Sequence, residues 1–267
     1  MTLHFTDNFN EVISNIDKDI LNDVVKELQP YKNRLDDYNI VITGTVGAGK
    51  STRCEALFHI FKSCEIPVNP FPEYINSVDG EDISAKLLKK KLCGDVSPNT
   101  FQSYVLDSWE KYLVGHKKPG LNLYERCVDD SFVCFCNIEN RDNKLSELQL
   151  LSLFERLQKI NKTYDIPSYF DKNIHFTEIQ ANDLNFNIKQ IVEVIISDIQ
   201  AGVKKRIIGL SISDFNSKER IKRRSRDGED NYTMEVIRLF NSHYNKLFEL
   251  LSKHKNLTRL VDVGKLL

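Results

Sequence analysis

The stretch Asn39-Ile-Val-Ile-Thr-Gly-Thr-Val-Gly-Ala-Gly-Lys-Ser-Thr52 joins a candidate strand to a candidate helix through a glycine-rich turn. Its first five residues form a short β-branched run, which predicts a buried strand. The segment from Gly44 to Ser51 fits the pattern GxxxxGK followed by Ser or Thr, and a helical pattern runs from Lys50 to Lys62. Such a turn lets backbone N–H groups surround phosphate oxygens, and the helix N-terminus adds its positive dipole end. The sequence therefore predicts a nucleoside triphosphate site.

The residue types in this turn assign roles for ATP and Mg²⁺ as cofactors. Lys50 would reach the β- and γ-phosphates, and the Ser51 hydroxyl would ligate Mg²⁺. The alternative is a glycine-rich turn that matches the pattern by chance, which the flanking strand and helix disfavour. The candidate nucleotide-binding residues are Gly44, Thr45, Val46, Gly47, Ala48, Gly49, Lys50, Ser51 and Thr52.

Composition excludes several other classes of protein. The 267 residues carry 37 Lys plus Arg against 38 Asp plus Glu, so no overall positive charge favours binding to nucleic acid. No apolar run is long enough to span a membrane, and the acidic N-terminus has no signal or transit pattern. The six cysteines form no CxxC pair, which predicts a reducing, cytoplasmic location without a zinc site.

The remaining pattern of apolar residues predicts an α/β protein with a parallel sheet and crossover helices, the P-loop NTPase type. We expect an N-terminal helical extension over residues 1–37 and one domain over residues 38–267, with an irregular insertion near 160–187. The predicted strands are Glu65–Asn69, Leu121–Tyr124, Arg206–Ile212 and Leu257–Val263, and the predicted helices are Ile13–Leu28, Thr100–Leu113, Leu145–Leu157, Ile188–Ile199 and Thr233–Ser252.

Charged residues at strand ends and in one basic run are candidates for the acceptor side of a phosphoryl transfer. Glu73 follows the second strand and could accept a proton, although an ordinary loop glutamate fits the position as well. Glu125 and Arg126 end another strand and suit Mg²⁺ and phosphate respectively, or form a simple ion pair. The run Lys218–Arg226 holds six cations and could close over a phosphoryl group as a lid. A nucleic-acid or nuclear-localisation patch and a solvated helix face are its alternatives.

These features together resemble the deoxynucleoside kinase family. The similarity runs from about Tyr38 to Val263, and five stretches occur in the order in which that family has them. They are the phosphate loop Gly44–Ser51, Pro72-Glu73, Thr100-Phe101-Gln102, Tyr124-Glu125-Arg126, and the basic run Arg220-Ile-Lys-Arg-Arg224-Ser-Arg226-Asp-Gly-Glu229.

The resemblance implies roles for individual residues. Glu73 would be the general base on a nucleoside 5′-hydroxyl, and Arg126 would hold that hydroxyl and the phosphoryl group in line. Gln102 would form paired hydrogen bonds to a nucleobase edge. The other implied roles are base stacking or core packing for Phe101 and Phe135, the sugar 3′-hydroxyl for Glu229, the phosphoryl oxygens for Arg220, Arg224 and Arg226, Mg²⁺ for Glu125, and the adenine side of ATP for Asp262 in the last strand.

The resemblance also implies an activity, ATP-dependent phosphorylation of a deoxynucleoside in nucleotide salvage, and a homodimer. The sequence departs from the family at Tyr74, at Cys127 and in the stretch Leu88–Leu92, which has no Tyr for the 3′-hydroxyl. Some members of the family select the base with an acid-base pair, and Asp129, Asp130 and Ser131 allow more than one alignment with it. The base preference is therefore open, with a pyrimidine slightly favoured. The alternatives are a thymidylate-type nucleoside monophosphate kinase and a nucleotide-binding protein without catalytic activity.

Overall fold

Five parallel strands form a single sheet, and their spatial order is Val68–Phe71, Leu121–Glu125, Asn39–Gly44, Lys205–Ser211 and His175–Gln180. The computed structural model describes residues 16–73, 77–78, 81–116, 118–136, 138–139, 143–224, 232–254 and 256–257. The strands of this sheet are β1 Asn39–Gly44, β2 Val68–Phe71, β5 Leu121–Glu125, β6 His175–Gln180 and β7 Lys205–Ser211, and a separate antiparallel pair is formed by β3 Ser77–Val78 and β4 Glu81–Asp82.

Helices cover both faces of the sheet, as a parallel sheet requires. A 3-10 helix, Gln29–Arg34, precedes β1, and a π-helix, Ser131–Cys136, follows β5. The described α-helices are α1 Lys18–Leu28, α2 Lys50–Ser63, α3 Ile83–Leu92, α4 Pro98–His116, α5 Glu147–Tyr164, α6 Leu184–Ala201, α7 Asp214–Arg224 and α8 Met234–His254. The chain therefore has a P-loop NTPase-type α/β fold, which confirms the fold predicted from the sequence.

Strand β1 divides the core into two halves. All six of its residues are buried, and successive side chains point to opposite faces. Ile40 and Ile42 pack into one cluster with residues of α1, α2 and α6, whereas Val41 packs into the other with residues of α4, α5 and α8. This burial on both faces explains why the strand reads as a continuous apolar run in the sequence.

Helix α1 contributes directly to one of these clusters. Val24 and Leu28 have no exposed surface and lie in the same cluster as Ile40. The predicted extension over residues 1–37 therefore contains buried core residues. Among the described helices, none is long and apolar enough to cross a lipid bilayer.

The structure corrects the predicted insertion near 160–187. This segment contains the end of α5, the whole of β6 and the beginning of α6, so much of it is regular structure. Strand β6 lies at the edge of the sheet and buries only Ile179 fully, so the sequence shows no alternation of apolar and polar residues. An edge strand of this kind gives too little hydrophobic pattern to be recognised.

The structure also bears on the predicted second strand and the predicted final strand. The second strand begins at Val68 rather than Glu65, because Glu65 adopts a left-handed conformation (φ 57°) in the turn after α2. Of the predicted final strand, only Leu257 lies among the described residues, and its N–H donates to the Tyr169 carbonyl (2.7 Å). The remaining boundaries agree with the prediction or differ from it by up to seven residues, and the largest difference is the end of α5 at Tyr164 rather than Leu157.

Candidate active site

The turn after β1 forms a phosphate-loop cradle in which two glycines are sterically required. Gly44 has φ 137°, and a Cβ atom there would lie 2.3 Å from the Leu210 carbonyl oxygen of the neighbouring strand. Gly47 has φ 79°, and a Cβ atom there would lie 2.8 Å from the Ser217 carbonyl oxygen of α7. Only glycine accommodates both the left-handed backbone and these close approaches. The loop is thus fixed by the strand on one side and by α7 on the other.

Lys50, the first residue of α2, is folded over this loop. Its ammonium group donates to the carbonyl oxygens of Gly44 (3.1 Å) and Thr45 (2.9 Å), and the side chain is 5% exposed. The hydroxyl oxygen of Thr45 is buried and has no hydrogen-bond partner among the described residues. A buried cation and an unsatisfied hydroxyl in a loop of backbone N–H groups fit a bound phosphate chain.

Ser51 and Glu125 form a polar pair beside the loop. The Ser51 hydroxyl donates to Glu125 Oε1 at 2.6 Å. Burial raises the pKa of the Glu125 carboxyl group, and the nearby Glu73 carboxylate raises it further. Lys50, Ser51 and Arg126 act in the opposite direction on the same group.

This pair suits Mg²⁺, which binds proteins through few hard oxygen ligands and keeps phosphate and water as its others. No group of three or more His, Cys, Asp or Glu side chains that could hold a metal ion occurs in the described part of the chain. A hydroxyl and one carboxylate are sufficient when the phosphates supply further ligands.

The side chains of Glu73 and Arg126 contact each other beside the phosphate loop. Because β2, β5 and β1 are neighbours in the sheet, the residues that follow them lie at one edge. Arg126 Nε donates to Glu73 Oε1 at 2.5 Å, and Arg126 Nη1 donates to the Gly44 carbonyl at 3.2 Å. The structure thus brings together three of the predicted motifs: the loop, Glu73 and the Glu125–Arg126 pair.

Neighbouring groups keep the guanidinium of Arg126 charged. Burial alone lowers the pKa of a guanidinium, but the Glu73 carboxylate, Tyr244 and Asp130 raise the pKa of Arg126 above its ordinary value. The Tyr244 hydroxyl accepts a hydrogen bond from Arg126 Nη1 (2.9 Å), and the Phe135 ring lies 5.6 Å from its guanidinium carbon. Phe135 therefore borders the site through a cation–π contact.

Asp130 and Tyr244 are site residues that sequence reasoning missed. Asp130 accepts hydrogen bonds from the Thr43 hydroxyl (2.7 Å) and the Tyr169 hydroxyl (2.5 Å), and lies 3.9 Å from Arg126 Nη1. Tyr244 comes from α8, more than a hundred residues after the arginine that it contacts. Tyr244 is buried in the core cluster that also contains Val41.

Phe101 and Gln102 lie in the first turns of α4. Both are buried, and Phe101 belongs to the core cluster that also contains Val41. Their predicted roles at a nucleobase stay predictions.

Arg220 of α7 contacts carbonyl oxygens of the phosphate loop. Its Nη1 lies 3.5 Å from the carbonyl oxygens of Gly47 and Ala48, and its Nη2 donates to the Ala181 carbonyl at 2.9 Å. Burial lowers the pKa of Arg220, and Arg223 contributes to the decrease.

The other predicted lid and nucleotide residues are described only in part. Arg224 is the last residue of α7, and its side chain is not among the described parts. Arg226, Glu229 and Asp262 lie outside the described residues, as does Tyr74. The lid assignment of this run therefore stays a prediction.

Comparisons with known proteins give a structural similarity alone. No family model and no curated protein matches the sequence. Among solved structures, a deoxyadenosine kinase from M. mycoides with bound dCTP is 17% identical over 81% of this chain and 86% of that chain, with a TM-score of 0.49. The same kinase with bound dATP is 21% identical over 82% and 85% of the two chains, with a TM-score of 0.46. The roles of the side chains in the site are therefore inferred from their own geometry.

Proposed function

We propose that this protein transfers the γ-phosphoryl group of ATP to the 5′-hydroxyl of a deoxynucleoside, with Mg²⁺, in cytoplasmic nucleotide salvage. The observation that carries the proposal is the contact between Glu73 and Arg126 beside the phosphate loop. A carboxylate at 2.5 Å from a guanidinium, which itself reaches the Gly44 carbonyl, supplies a proton acceptor and a cation at the end of the phosphate cradle. An alcohol acceptor needs both groups.

Each residue of the site has a part in this reaction. Lys50 and the loop N–H groups bind the triphosphate, and Glu73 takes the proton of the attacking hydroxyl. Arg126 orients that hydroxyl and stabilises the developing charge on the phosphoryl oxygens. Ser51 and Glu125 would hold Mg²⁺, which neutralises phosphate charge when bound.

The other predicted site residues would select the substrate and close the site. Gln102 would read a nucleobase edge, Phe101 and Phe135 would border the base, and Glu229 would bind the sugar. A pyrimidine is slightly favoured. Arg220, Arg224 and Arg226 would close as a lid over the phosphates, and the enzyme would act as a homodimer, which a mass measurement in solution tests.

Incubation of the purified protein with γ-labelled ATP, Mg²⁺ and a panel of nucleosides and nucleoside monophosphates tests this activity. We expect label in a nucleoside monophosphate. Label in a diphosphate would support a monophosphate kinase instead, and ATP binding without a labelled acceptor would support a non-catalytic nucleotide-binding protein. Lys50→Met should abolish transfer, whereas Lys253→Met, which removes an exposed ion pair with Glu249, should leave it unchanged.

A further inference from the structure

Arg53 is a buried arginine on the helix of the phosphate loop that the proposed reaction does not use. Its side chain is 3% exposed, and no carboxylate among the described residues lies within ion-pair distance of it. Buried charges are normally neutralised by a partner of opposite sign. The conspicuous charge nearby is another cation, Arg220, because a Cβ atom at Gly49 would lie 2.5 Å from Arg53 Nη1 and 3.5 Å from Arg220 Nη1.

The hydrogen bonds of Arg53 go to an amide and to the loop backbone. Its Nε and Nη2 both donate to Asn187 Oδ1 of α6, at 3.1 and 2.5 Å. Its Nη1 donates to the carbonyl oxygens of Gly49 (3.1 Å) and Ala48 (3.4 Å). Asn187 therefore fixes the guanidinium in a position from which it contacts two peptide groups of the loop.

The geometry of a trans peptide connects these carbonyls to the phosphate side of the loop. In a trans peptide the C=O and N–H bonds point in opposite directions. The peptide groups whose carbonyls contact Arg53 carry the N–H groups of Gly49 and Lys50, which lie at the start of α2. A cation against the carbonyl side orients these peptide groups and adds positive potential to the N–H side.

We propose that Arg53, anchored by Asn187, is a positioning residue for the triphosphate: it orients the Gly49 and Lys50 peptide groups from their carbonyl side and supplies positive charge. Burial and the neighbouring Arg220 together lower the pKa of Arg53 to about 10, against the opposing effect of the Asp183 carboxylate. A bound polyanion relieves this unfavourable burial. The inference rests on the proposed function only in that the loop binds a nucleoside triphosphate.

Two substitutions of Arg53 separate the charge from the hydrogen bonds. Arg53→Lys keeps a charged donor, whereas Arg53→Gln keeps a neutral donor. We expect Arg53→Gln to raise the Kd for ATP about tenfold and Arg53→Lys to stay within about threefold of the unsubstituted protein. Arg34→Met is the matched control, because Arg34 also donates to a backbone carbonyl, that of Ile199, but far from the loop. Calorimetric titration with ATP measures the Kd of each variant, and thermal unfolding shows whether the variant is still folded.

A second pair of variants changes the charge while Arg53 stays in place. Asn187→Asp adds a carboxylate against the guanidinium, and Asn187→Ala removes the same side-chain donor to Gln180 without adding charge. We expect the aspartate variant to bind ATP about tenfold more weakly than the alanine variant.

Three outcomes would overturn the inference: equal ATP affinity for Arg53→Gln and the unsubstituted protein, equal weakening by Gln and Lys, or equal affinities for Asn187→Asp and Asn187→Ala. The second outcome would mean that Arg53 only links α2 to α6.

Because this test measures ATP binding and not phosphoryl transfer, a protein that binds ATP but phosphorylates no nucleoside would contradict the proposed function and leave this test intact. A protein that binds no nucleotide would contradict both.

Discussion

Glu73 and Arg126 form the contact on which acceptor chemistry depends. The carboxylate would take a proton, while the guanidinium stays charged because Glu73, Tyr244 and Asp130 raise its pKa against the effect of burial. Glu73 lies two residues after β2 and Arg126 directly after β5, and these two strands are neighbours in the sheet. The contact between the two side chains thus lies at the carboxyl ends of adjacent strands.

Substitution of Glu73 by glutamine tests the proton acceptor directly. Glutamine retains the shape and can still accept a hydrogen bond from Arg126, but it cannot take a proton. We expect Glu73→Gln to lower kcat by about 10² to 10⁴-fold while the Kd for ATP changes little. Steady-state kinetics and ATP titration measure the two quantities. Glu249→Gln, at an exposed ion pair on α8, is the control, and a kcat within threefold of the control would refute the base assignment.

Sequence reasoning identified residues inside motifs and missed those brought in from elsewhere. Lys50, Ser51 and Arg126 stand in recognisable patterns, and the structure places them together. Asp130 was seen only as one of several acidic residues after Arg126. Tyr244 had no signal beyond its apolar periodicity, because a hydroxyl that reaches a site from a distant helix leaves no local pattern.

Helix α7 packs directly against the phosphate loop. The Ser217 hydroxyl donates to the Val46 carbonyl at 2.7 Å, and Ser217 has no exposed surface. Val46 also packs in a small cluster with Ile221 of α7 and Ile237 of α8. The helix that begins the basic run is therefore docked on the nucleotide cradle.

Gly47→Ala tests this docking. We expect it to lower the free energy of unfolding by about 3 kcal/mol, because a left-handed backbone and a contact with the Ser217 carbonyl both oppose a Cβ atom. Gly202→Ala is the matched control, since Gly202 has a similar φ of 73° but open space around its Cα, and should cost about 1 kcal/mol. Urea unfolding measures both. Equal losses would mean that α7 moves aside freely.

Elements were predictable where a periodic apolar face was present. The buried strand β1 and the long helix α8 were identified from such patterns, whereas the edge strand β6 was taken for irregular chain. The π-helix Ser131–Cys136 was also missed, because its burial on nearly every side gives no helical periodicity.

Over the whole molecule, buried carboxyl groups govern the expected response to pH. Burial raises the pKa of Asp129 to about 6, although the Ser168 hydroxyl, the Tyr169 N–H and Asn161 all donate to it. Burial also raises the pKa values of Asp130 and Glu125. In each case the folded state holds its proton to higher pH than the unfolded state does.

The sign of the effect follows from proton linkage. Between the unfolded pKa of Asp, about 3.9, and the folded value of about 6, the folded state binds more protons. We therefore expect the Asp129 contribution to the free energy of unfolding to fall by about 2 kcal/mol as the pH rises from about 4 to about 6, and by less than about 1 kcal/mol above that.

Urea midpoints measured between pH 4 and pH 7.5 test this expectation by comparison of Asp129→Asn with the unsubstituted protein. The difference between the two should depend on pH only below about pH 6. Asp171→Asn is the control, because Lys205 and the Asn173 N–H lower the pKa of Asp171 despite its partial burial, so its difference from the unsubstituted protein should be nearly constant above about pH 5. A difference that is constant with pH would contradict the raised pKa of Asp129.

The two margins of the central sheet bear on self-association. Strand β2, at one margin, has only four residues, and one of them is Pro70, which has no N–H to offer an incoming strand. Strand β6, at the other margin, exposes Glu178, so identical copies that paired in register would bring like charges together. Both margins of the sheet, as far as the structure describes it, therefore carry features that disfavour strand-to-strand association between copies.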